Sequence, residues 1–434
     1  MESHTDDDTA TDSEDDVPDD GEPASNDIDV TIDEEEPASH DIDVSVDEED
    51  PAPHDIDVSV DGTWMTRGYS SKVGVTTVLG QVTGKVLDTQ VKSKVCKTCD
   101  FWAKNKDKRP EGYREWLRTH PPNCDATHGG SSGAMEASSG IDMFARSEEK
   151  YNLRYTRFTG DGDTNAYKSV SESRPYGDTV IEKIECVGHV QKRMGTRLRK
   201  LKTTLGKNKL KDGKTIGGRG RLTATQIDQI QTYYGNAIRG NKNDATSMRE
   251  AIWAIFRHKS STDKKPQHNL CKETWCKYLQ MQTDKTIKNP HSHSMPQAVM
   301  DAIKPIFIDL TSPELLNKCL EGYTQNANES INQLIWKYCP KNQYHGVKTV
   351  STAVGLAVII YNDGSKSIAS VFERLGISVG NFCRTYLCTR DSQRIDKADI
   401  RATEASLEYR RAKRQERLAA DEAVEDGAYL CGGH

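Results

Sequence analysis

Asp61 in VSVDGTW, Asp161 in YTRFTGDGD and Glu329 in TQNANES are the residues whose types and settings could do chemistry. Two end strand-like runs, and the third lies inside a helical pattern. Carboxylate oxygens suit Mg2+ or Mn2+, which also take waters and substrate phosphates. Three carboxylates on a β/α scaffold can hold two such ions, and two ions can drive an in-line displacement at a phosphodiester. Asp163 competes with Asp161 for the second position. Asp161 ends its strand directly, whereas Asp163 suits the N-cap or first turn of the helix that follows.

A second chemistry is carried by cysteine and histidine. Cys96-x2-Cys99 followed by His120-x3-Cys124 gives four tetrahedral-type ligands within the insertion Cys96–Ser131, a spacing suited to structural zinc. Cys124-x3-His128 is equally feasible, so His128 stands as an alternative to His120. A loop of this length without its own core needs a metal to be ordered. Cys186-x2-His189 is a further candidate zinc pair, and His268-x2-Cys271-x4-Cys276 could supply its remaining ligands. His291 and His293 read as loop residues, and Cys319, Cys339, Cys383 and Cys388 as buried small apolar side chains.

The elements that must position these residues follow from periodicity. Asp55–Val60, Lys72–Val82 and Lys85–Lys92 alternate branched apolar and polar residues and read as a three-stranded antiparallel meander. A helical stretch covers about 133–151. Arg154–Thr159 reads as a strand, Thr164–Ser171 as a helix, Val180–Val187 as a strand and Val190–Lys202 as a basic helix. Residues 203–320 break this alternation and read as an α-helical insertion, with Thr223 as an N-cap. Glu321–Tyr338 reads as a helix with Tyr323, Ala327, Ile331, Leu334 and Ile335 on its core face, and Glu329, Asn332 and Trp336 on another. Thr352–Ile360 reads as an apolar helix and Lys397–Val424 as a charged one. The domain division is a tail at 1–50, a first part of the core at 51–202, the insertion at 203–320, core completion at 321–396 and a C-terminal segment at 397–434.

The 434 residues carry a net charge of −7 that conceals an asymmetry. Residues 1–62 hold 26 acids and no Lys or Arg, leaving 40 acids against 59 bases, a net of +19, in the rest. A basic body points to a polyanionic partner, most often nucleic acid. Residues 1–50 are too acidic and too poor in apolar residues to fold alone and read as disordered. They repeat EPASNDIDVTID, EPASHDIDVSVD and DPAPHDIDVSVD every 14 residues, so Asp33 and Asp47 are upstream copies of Asp61 without the globular sequence that follows it. No apolar run approaches a membrane span, and the N-terminus has none of the features of a signal peptide. Eleven cysteines without a secretion signal argue for thiols and metal ligands rather than disulfides.

Between Gln191 and Arg221 there are twelve Lys and Arg and one acid, Asp212. Lys192, Arg193, Arg197, Arg199, Lys200 and Lys202 cover most of one helix and suit phosphate contacts, which give affinity without sequence readout. The run Arg410, Arg411, Lys413, Arg414 and Arg417 is interspersed with Glu and reads as an ordinary charged helix that could also aid nuclear import.

The motifs VDGTW, the strand-terminal GDGD, ECVGHVQKRMGTRLRKL and TQNANESINQLIWKYCPK together resemble the Mutator-like transposase domain of animal genomes. The resemblance runs from about Asp55 to Tyr429. It implies an RNase H-like mixed α/β fold, with a helical insertion before the last acid. It further implies a DDE transposase, with Asp61, Asp161 and Glu329 binding two Mg2+ or Mn2+ ions for DNA cleavage and strand transfer. Its implied partners are transposon ends and target DNA, in the nucleus, with more than one copy assembled on DNA. The family has a Cys/His motif at the place of Cys186 and His189. Such proteins usually carry an N-terminal DNA-binding segment, and the acidic repeats stand in its place here. The alternative expectation is a domesticated or decayed relative, a nuclear zinc-containing DNA-binding protein without catalysis. A simple nuclease is a third.

Overall fold

The computed structural model describes residues 52–403 apart from 67–69, 162–164, 287–290 and 292–293, with the pairs 405–406, 408–409 and 412–413 beyond. The first two acidic repeats, Asp163, His293, Arg410, Arg411, Arg414 and Arg417 lie outside the described residues, whereas the third repeat supplies most of the first strand.

The described chain opens with an antiparallel meander of β1 (His54–Trp64), β2 (Val73–Gly80) and β3 (Val86–Ser93). The Cys/His segment then forms α1 (Lys97–Asn105) and α2 (Pro110–Thr119), where the sequence suggests only a loop. After α3 (Ala134–Ala145) and α4 (Ser147–Tyr151), β4 (Leu153–Gly160) pairs parallel to β1. Beyond α5 (Asn165–Ser173), β5 (Glu182–Glu185) pairs parallel to β4.

From β5 the chain enters α6 (Val187–Leu205) and a helical unit of α7 (Ala224–Arg239), α8 (Ala245–Ser260), α9 (Lys277–Thr283), α10 (Gln297–Asp309) and α11 (Pro313–Asn317). It returns to the sheet through α12 (Asn326–Tyr338) and α13 (Val347–Asp363), and continues into α14 (Ile368–Arg374) and α15 (Asn381–Ala402). The sheet order is β3-β2-β1-β4-β5. Antiparallel pairing on one side of β1, parallel pairing on the other and helices on both faces make this an RNase H-like arrangement.

Each face of the sheet has its own core. Val58 and Val60 of β1, with Tyr155 and Phe158 of β4, pack against Met143 and Phe144 of α3 and Ala166 and Val170 of α5. On the opposite face Val73, Val75 and Leu79 of β2 meet Ile331 and Ile335 of α12 and Val350, Val354 and Ala357 of α13. With cover on both faces, every residue of β2 is buried. The third core belongs to the helical unit and includes the buried stripe of α6: Val187, Val190, Met194 and Leu198. Thus α6 belongs as much to the insertion as to the sheet, whereas the sequence division places it before the insertion.

Several boundaries differ from the sequence reading for physical reasons. The stretch 133–151 is two helices, broken at Arg146, whose guanidinium grips Asp88 on β3 at 2.7 and 2.8 Å. α12 starts at Asn326 rather than Glu321. The residues before it are tied to the sheet instead: Arg157 pairs with Asp57 and Glu321, and the Tyr323 hydroxyl donates to Asp57 at 2.7 Å. The C-terminal helix begins at Asn381, sixteen residues earlier than expected. Its Asp391 accepts hydrogen bonds from the backbone N–H groups of Ser365 and Lys366. Cys319 and Cys339 are buried as expected, whereas Cys383 is half-buried and Cys388 exposed.

A polar ladder joins α12 to β1. The Ser59 hydroxyl donates to Asn328 Oδ1 at 2.5 Å, Asn332 Nδ2 donates to Asp61 Oδ2 at 2.7 Å, and Trp336 Nε1 donates to Thr63 Oγ1 at 2.8 Å. Steps of two along a strand advance about 6.7 Å, and steps of four along a helix about 6 Å. Ser59, Asp61 and Thr63 therefore stay level with Asn328, Asn332 and Trp336. The face of α12 expected to lie apart from the core is thus a buried polar seam. Asn328 is fully buried and also donates to Thr77 Oγ1 at 3.3 Å. Removing its amide strands three polar partners, and a buried unsatisfied group costs about 1–3 kcal/mol. Asn328→Ala is expected to lower unfolding stability by about 2–3 kcal/mol, read as a reduced urea midpoint with an unchanged m-value.

Candidate functional site

β1 runs past the end of its parallel neighbour, the last β1–β4 pair being Ser59 and Thr159. Asp61 therefore lies within β1, opposite Thr77 of β2, rather than at its terminus as the sequence suggests. Asp161 follows β4 directly. Glu329 stands one residue past Asn328, about 100° further around α12, and is 54% exposed. Glu329 and Asp161 both stand near enough to Asp61 to oppose its ionisation.

Burial pushes Asp61 up to about 6, against the pull of His189 and the hydrogen bond from Asn332. His189 Nδ1 lies 3.8 Å from Asp161 Oδ1, and Lys192 Nζ lies 3.8 Å from Glu329 Oε1. Both come from the first turns of α6, so one helix sets two basic groups beside two of the acids. Burial is the largest single influence on the Cys186 thiol and works against its thiolate, but hydrogen bonds from His189 and the Gln325 backbone together with the charge of His189 lower it overall, and the bond to Cys186 raises the imidazole.

A fourth acid, absent from the sequence reading, faces the same place. Glu136 in the first turn of α3 is pushed up to about 8, by burial first and then by Asp61 and Asp161. Its carboxyl lies over Gly62, where a Cβ would come within 2.9 Å of Oε2. Nothing in AMEASSG marks it, since a Glu in a first helical turn ordinarily just complements the dipole.

This donor set fits hard divalent cations. Carboxylates are crowded in partly desolvated surroundings, and Oδ1 of Asn332, on the amide that holds Asp61, is buried without a hydrogen-bond partner. Such an arrangement is unfavourable with every carboxyl ionised, and either protonation or a bound cation relieves it.

The sequence-proposed zinc ligands fall into two groups. Cys96, Cys99, His120 and Cys124 converge with all ligand atoms within 4.8 Å of one another. The Cys99–His120 separation is 3.2 Å, and the Cys96–His120 and Cys99–Cys124 separations are both 3.5 Å. Tetrahedral zinc places its N and S ligands about 3.3–3.8 Å apart, so the cluster can hold zinc. His128 is engaged elsewhere, its Nε2 lying 3.0 Å from the Ser131 carbonyl. Helices α1 and α2 bury no residue, and their mutual contacts are aromatic: Trp102, Tyr113 and Trp116, with Trp116 stacked on His120 at 4.6 Å.

His268, Cys271 and Cys276 do not join Cys186 and His189. They meet His258 at the end of α8, again within 4.8 Å. Sulfur–nitrogen separations run from 3.4 Å for Cys276–His268 to 3.8 Å for Cys276–His258. His258, ten residues upstream of the spaced motif, escaped the sequence reading. His291 is more than a loop residue: its Nε2 lies 2.9 Å from Nε2 of His268, and its Nδ1 lies 2.6 Å from Asp263. That chain orients a ligand through its outer nitrogen.

The basic helix is less free than its composition suggests. Arg193 pairs with Glu185, Arg197 with Asp309 and Arg199 with Asp228, while Lys192 faces Glu329. These contacts tie α6 to β5, α10, α7 and α12. Lys200 remains exposed. Among the described residues, no helix is long and apolar enough to cross a membrane.

A mixed sheet of RNase H-like order, interrupted by a helical unit and bearing Asp61, Asp161 and Glu329, defines the class of fold. Within that class, the family model for Mutator-like transposases matches residues 23–276, and the chain belongs to that family. The matched segment includes Asp61, Glu136, Asp161, both Cys/His clusters and α6, and ends before Glu329. Comparison with curated proteins and with solved structures gives no match.

The raised acids carry a pH signature. The folded state holds the Asp61 proton more tightly than the unfolded chain, so stability from this group is present at low pH and lost as pH rises through about 6. Without added Mg2+ or Mn2+, the protein is expected to lose stability between pH 5 and pH 8. Asp61→Asn should remove about 1–2 kcal/mol of that loss, read from urea midpoints across the range.

Proposed function

We propose that this chain is a DDE-type transposase that cleaves DNA at element ends and joins the freed 3′-OH to target DNA. The observation that supports the reading is the electrostatic coupling of Asp61 on β1 to Asp161 after β4 and Glu329 on α12. Asp61, Asp161 and Glu329 would hold two Mg2+ or Mn2+ ions, which would activate the attacking oxygen and stabilise the leaving one. The chain's own part is placement. Asn332 fixes the Asp61 carboxylate, while His189 and Lys192 stand beside Asp161 and Glu329. Lys200 and the lysines of the following loop provide phosphate contacts with the salt-sensitive affinity expected of them. The site of action is the nucleus.

We further propose that zinc occupies both Cys/His clusters as a structural metal. Burial and the neighbouring thiols push Cys99 up to about 12, and burial and Cys276 push Cys271 to about 12 as well. A bound cation removes that penalty. Elemental analysis of the purified chain is expected to give two zinc ions per molecule, and Cys276→Ser one. Retention of two by the variant would count against the second site.

The deciding experiment is a strand-transfer assay with Mg2+ or Mn2+ and labelled element ends. Asp61→Asn, Asp161→Asn and Glu329→Gln are each expected to reduce cleavage and joining at least a hundredfold while the circular dichroism spectrum is unchanged. Undiminished cleavage by Asp161→Asn would defeat the assignment. DNA binding without cleavage by the unmutated chain would favour the inactive DNA-binding relative, and cleavage without joining a nuclease.

A further inference from the structure

Glu136 has no place in the acid triad, yet its surroundings make little sense without a ligand. It sits in the first turn of α3, between the buried side chains of Met135 and Ala137. The start of that helix is pinned to the sheet: Trp64 Nε1 donates to the Ser132 carbonyl at 2.9 Å, and the Ser132 hydroxyl donates to the Ser71 carbonyl at 2.8 Å. Glu136 therefore cannot leave the site by a shift of α3 without breaking that anchorage.

Its carboxyl occupies the space that a side chain at position 62 would fill. An ideal Cβ on Gly62 stands 2.9 Å from Oε2 and 3.0 Å from Cδ and Cγ of Glu136. Gly62 adjoins Asp61 in β1, so the missing side chain lets a carboxyl from the α3 face of the sheet come up against the residue that bears the central acid. Alternation places Asp61 on the α12 face and Gly62 on the α3 face. The two carboxyl groups thus approach the strand from opposite sides.

Among the described residues, Glu136 makes no hydrogen bond or ion pair, and the charged groups that act on it are Asp61 and Asp161, both acids. The basic neighbours of the site are spoken for on its other side, His189 beside Asp161 and Lys192 beside Glu329. Asn332, more than nine-tenths buried, supplies an independent sign of a missing ligand, because its Oδ1 is unpartnered while its Nδ2 holds Asp61. A half-buried carboxyl set against two others gains nothing from ionising in the protein alone.

We propose that Glu136 is a fourth carboxylate ligand of the metal site, closing it from the α3 side with Asp61 and Asp161. The inference rests on the metal-dependent reading above and names a residue that the acid triad does not include. Gly62 is part of the same device, as the gap through which Glu136 reaches the site.

The test is Mn2+ binding to the full zinc-loaded chain without DNA, followed by the electron paramagnetic resonance of free Mn2+ and by the Mn2+-induced rise in melting temperature. Glu136→Gln is expected to weaken binding at least tenfold or to remove one of two ions, and to shrink the melting-temperature rise. Its metal-free melting temperature should match or exceed that of the unmutated protein, because a repulsion has been relieved; a merely structural glutamate would lower it. Gly62→Ala, which displaces the Glu136 carboxyl without removing it, is expected to weaken Mn2+ binding as well, and to add nothing in the Glu136→Gln background. Asp61→Asn is the reference. If Asp61→Asn weakens binding but Glu136→Gln and Gly62→Ala bind as tightly as the unmutated chain, the role of Glu136 is overturned while the metal site stands. If all three bind like the unmutated chain, the metal site itself is overturned.

Discussion

The architecture turns on the match in rise between β1 and α12. A strand read every second residue and a helix read every fourth advance by nearly the same distance, so three polar side chains on one can meet three on the other. Ser59, Asp61 and Thr63 are held in this way by Asn328, Asn332 and Trp336. The seam is buried and polar, and buried polar networks specify one geometry because a slip leaves several groups unpaired at once. A one-residue slip of β1 would also carry Asp61 to the α3 face. The seam therefore fixes register, orients the central acid and sets the height at which Glu329 stands above it.

Charge management is the second theme. Acidic and thiol groups are gathered at three places where neighbouring protein cations do not balance them: around Asp61, at Cys99 and at Cys271. Elsewhere the chain pairs its charges closely, as at Arg146 with Asp88 and Arg157 with Asp57 and Glu321. The contrast is informative because the same sequence shows both behaviours. Structural ion pairs are completed by the protein, whereas the three unbalanced clusters have donor sets suited to metals.

What could be read in the sequence was whatever is written locally. The meander and the return strand were visible as period-two alternation. Asp61 and Asp161 were marked by the Gly that follows each. Cys96, Cys99, His120 and Cys124 were marked by their spacing. Features that depend on distant elements left no such trace. Glu136 is visible only once Gly62 is seen beneath it, and His258 only when the end of α8 comes up against residues 268–276. The burial of Asn332 was not legible, because helical periodicity distinguishes apolar from polar faces, not solvated faces from buried polar ones. The early end of the α3 segment came from Arg146 reaching Asp88, fifty-eight residues away.

Helix α6 has a mechanical meaning that follows from where its ends lie. At its start, His189 and Lys192 stand beside Asp161 and Glu329; further along, Met194 and Leu198 are locked into the core of the helical unit. Nineteen residues of continuous α-helix form a rod of about 28 Å. A rod anchored in this way acts as a lever. Any tilt of the helical unit, such as a load applied by a long bound duplex, must reappear as a displacement of an imidazole and an ammonium group relative to the acids.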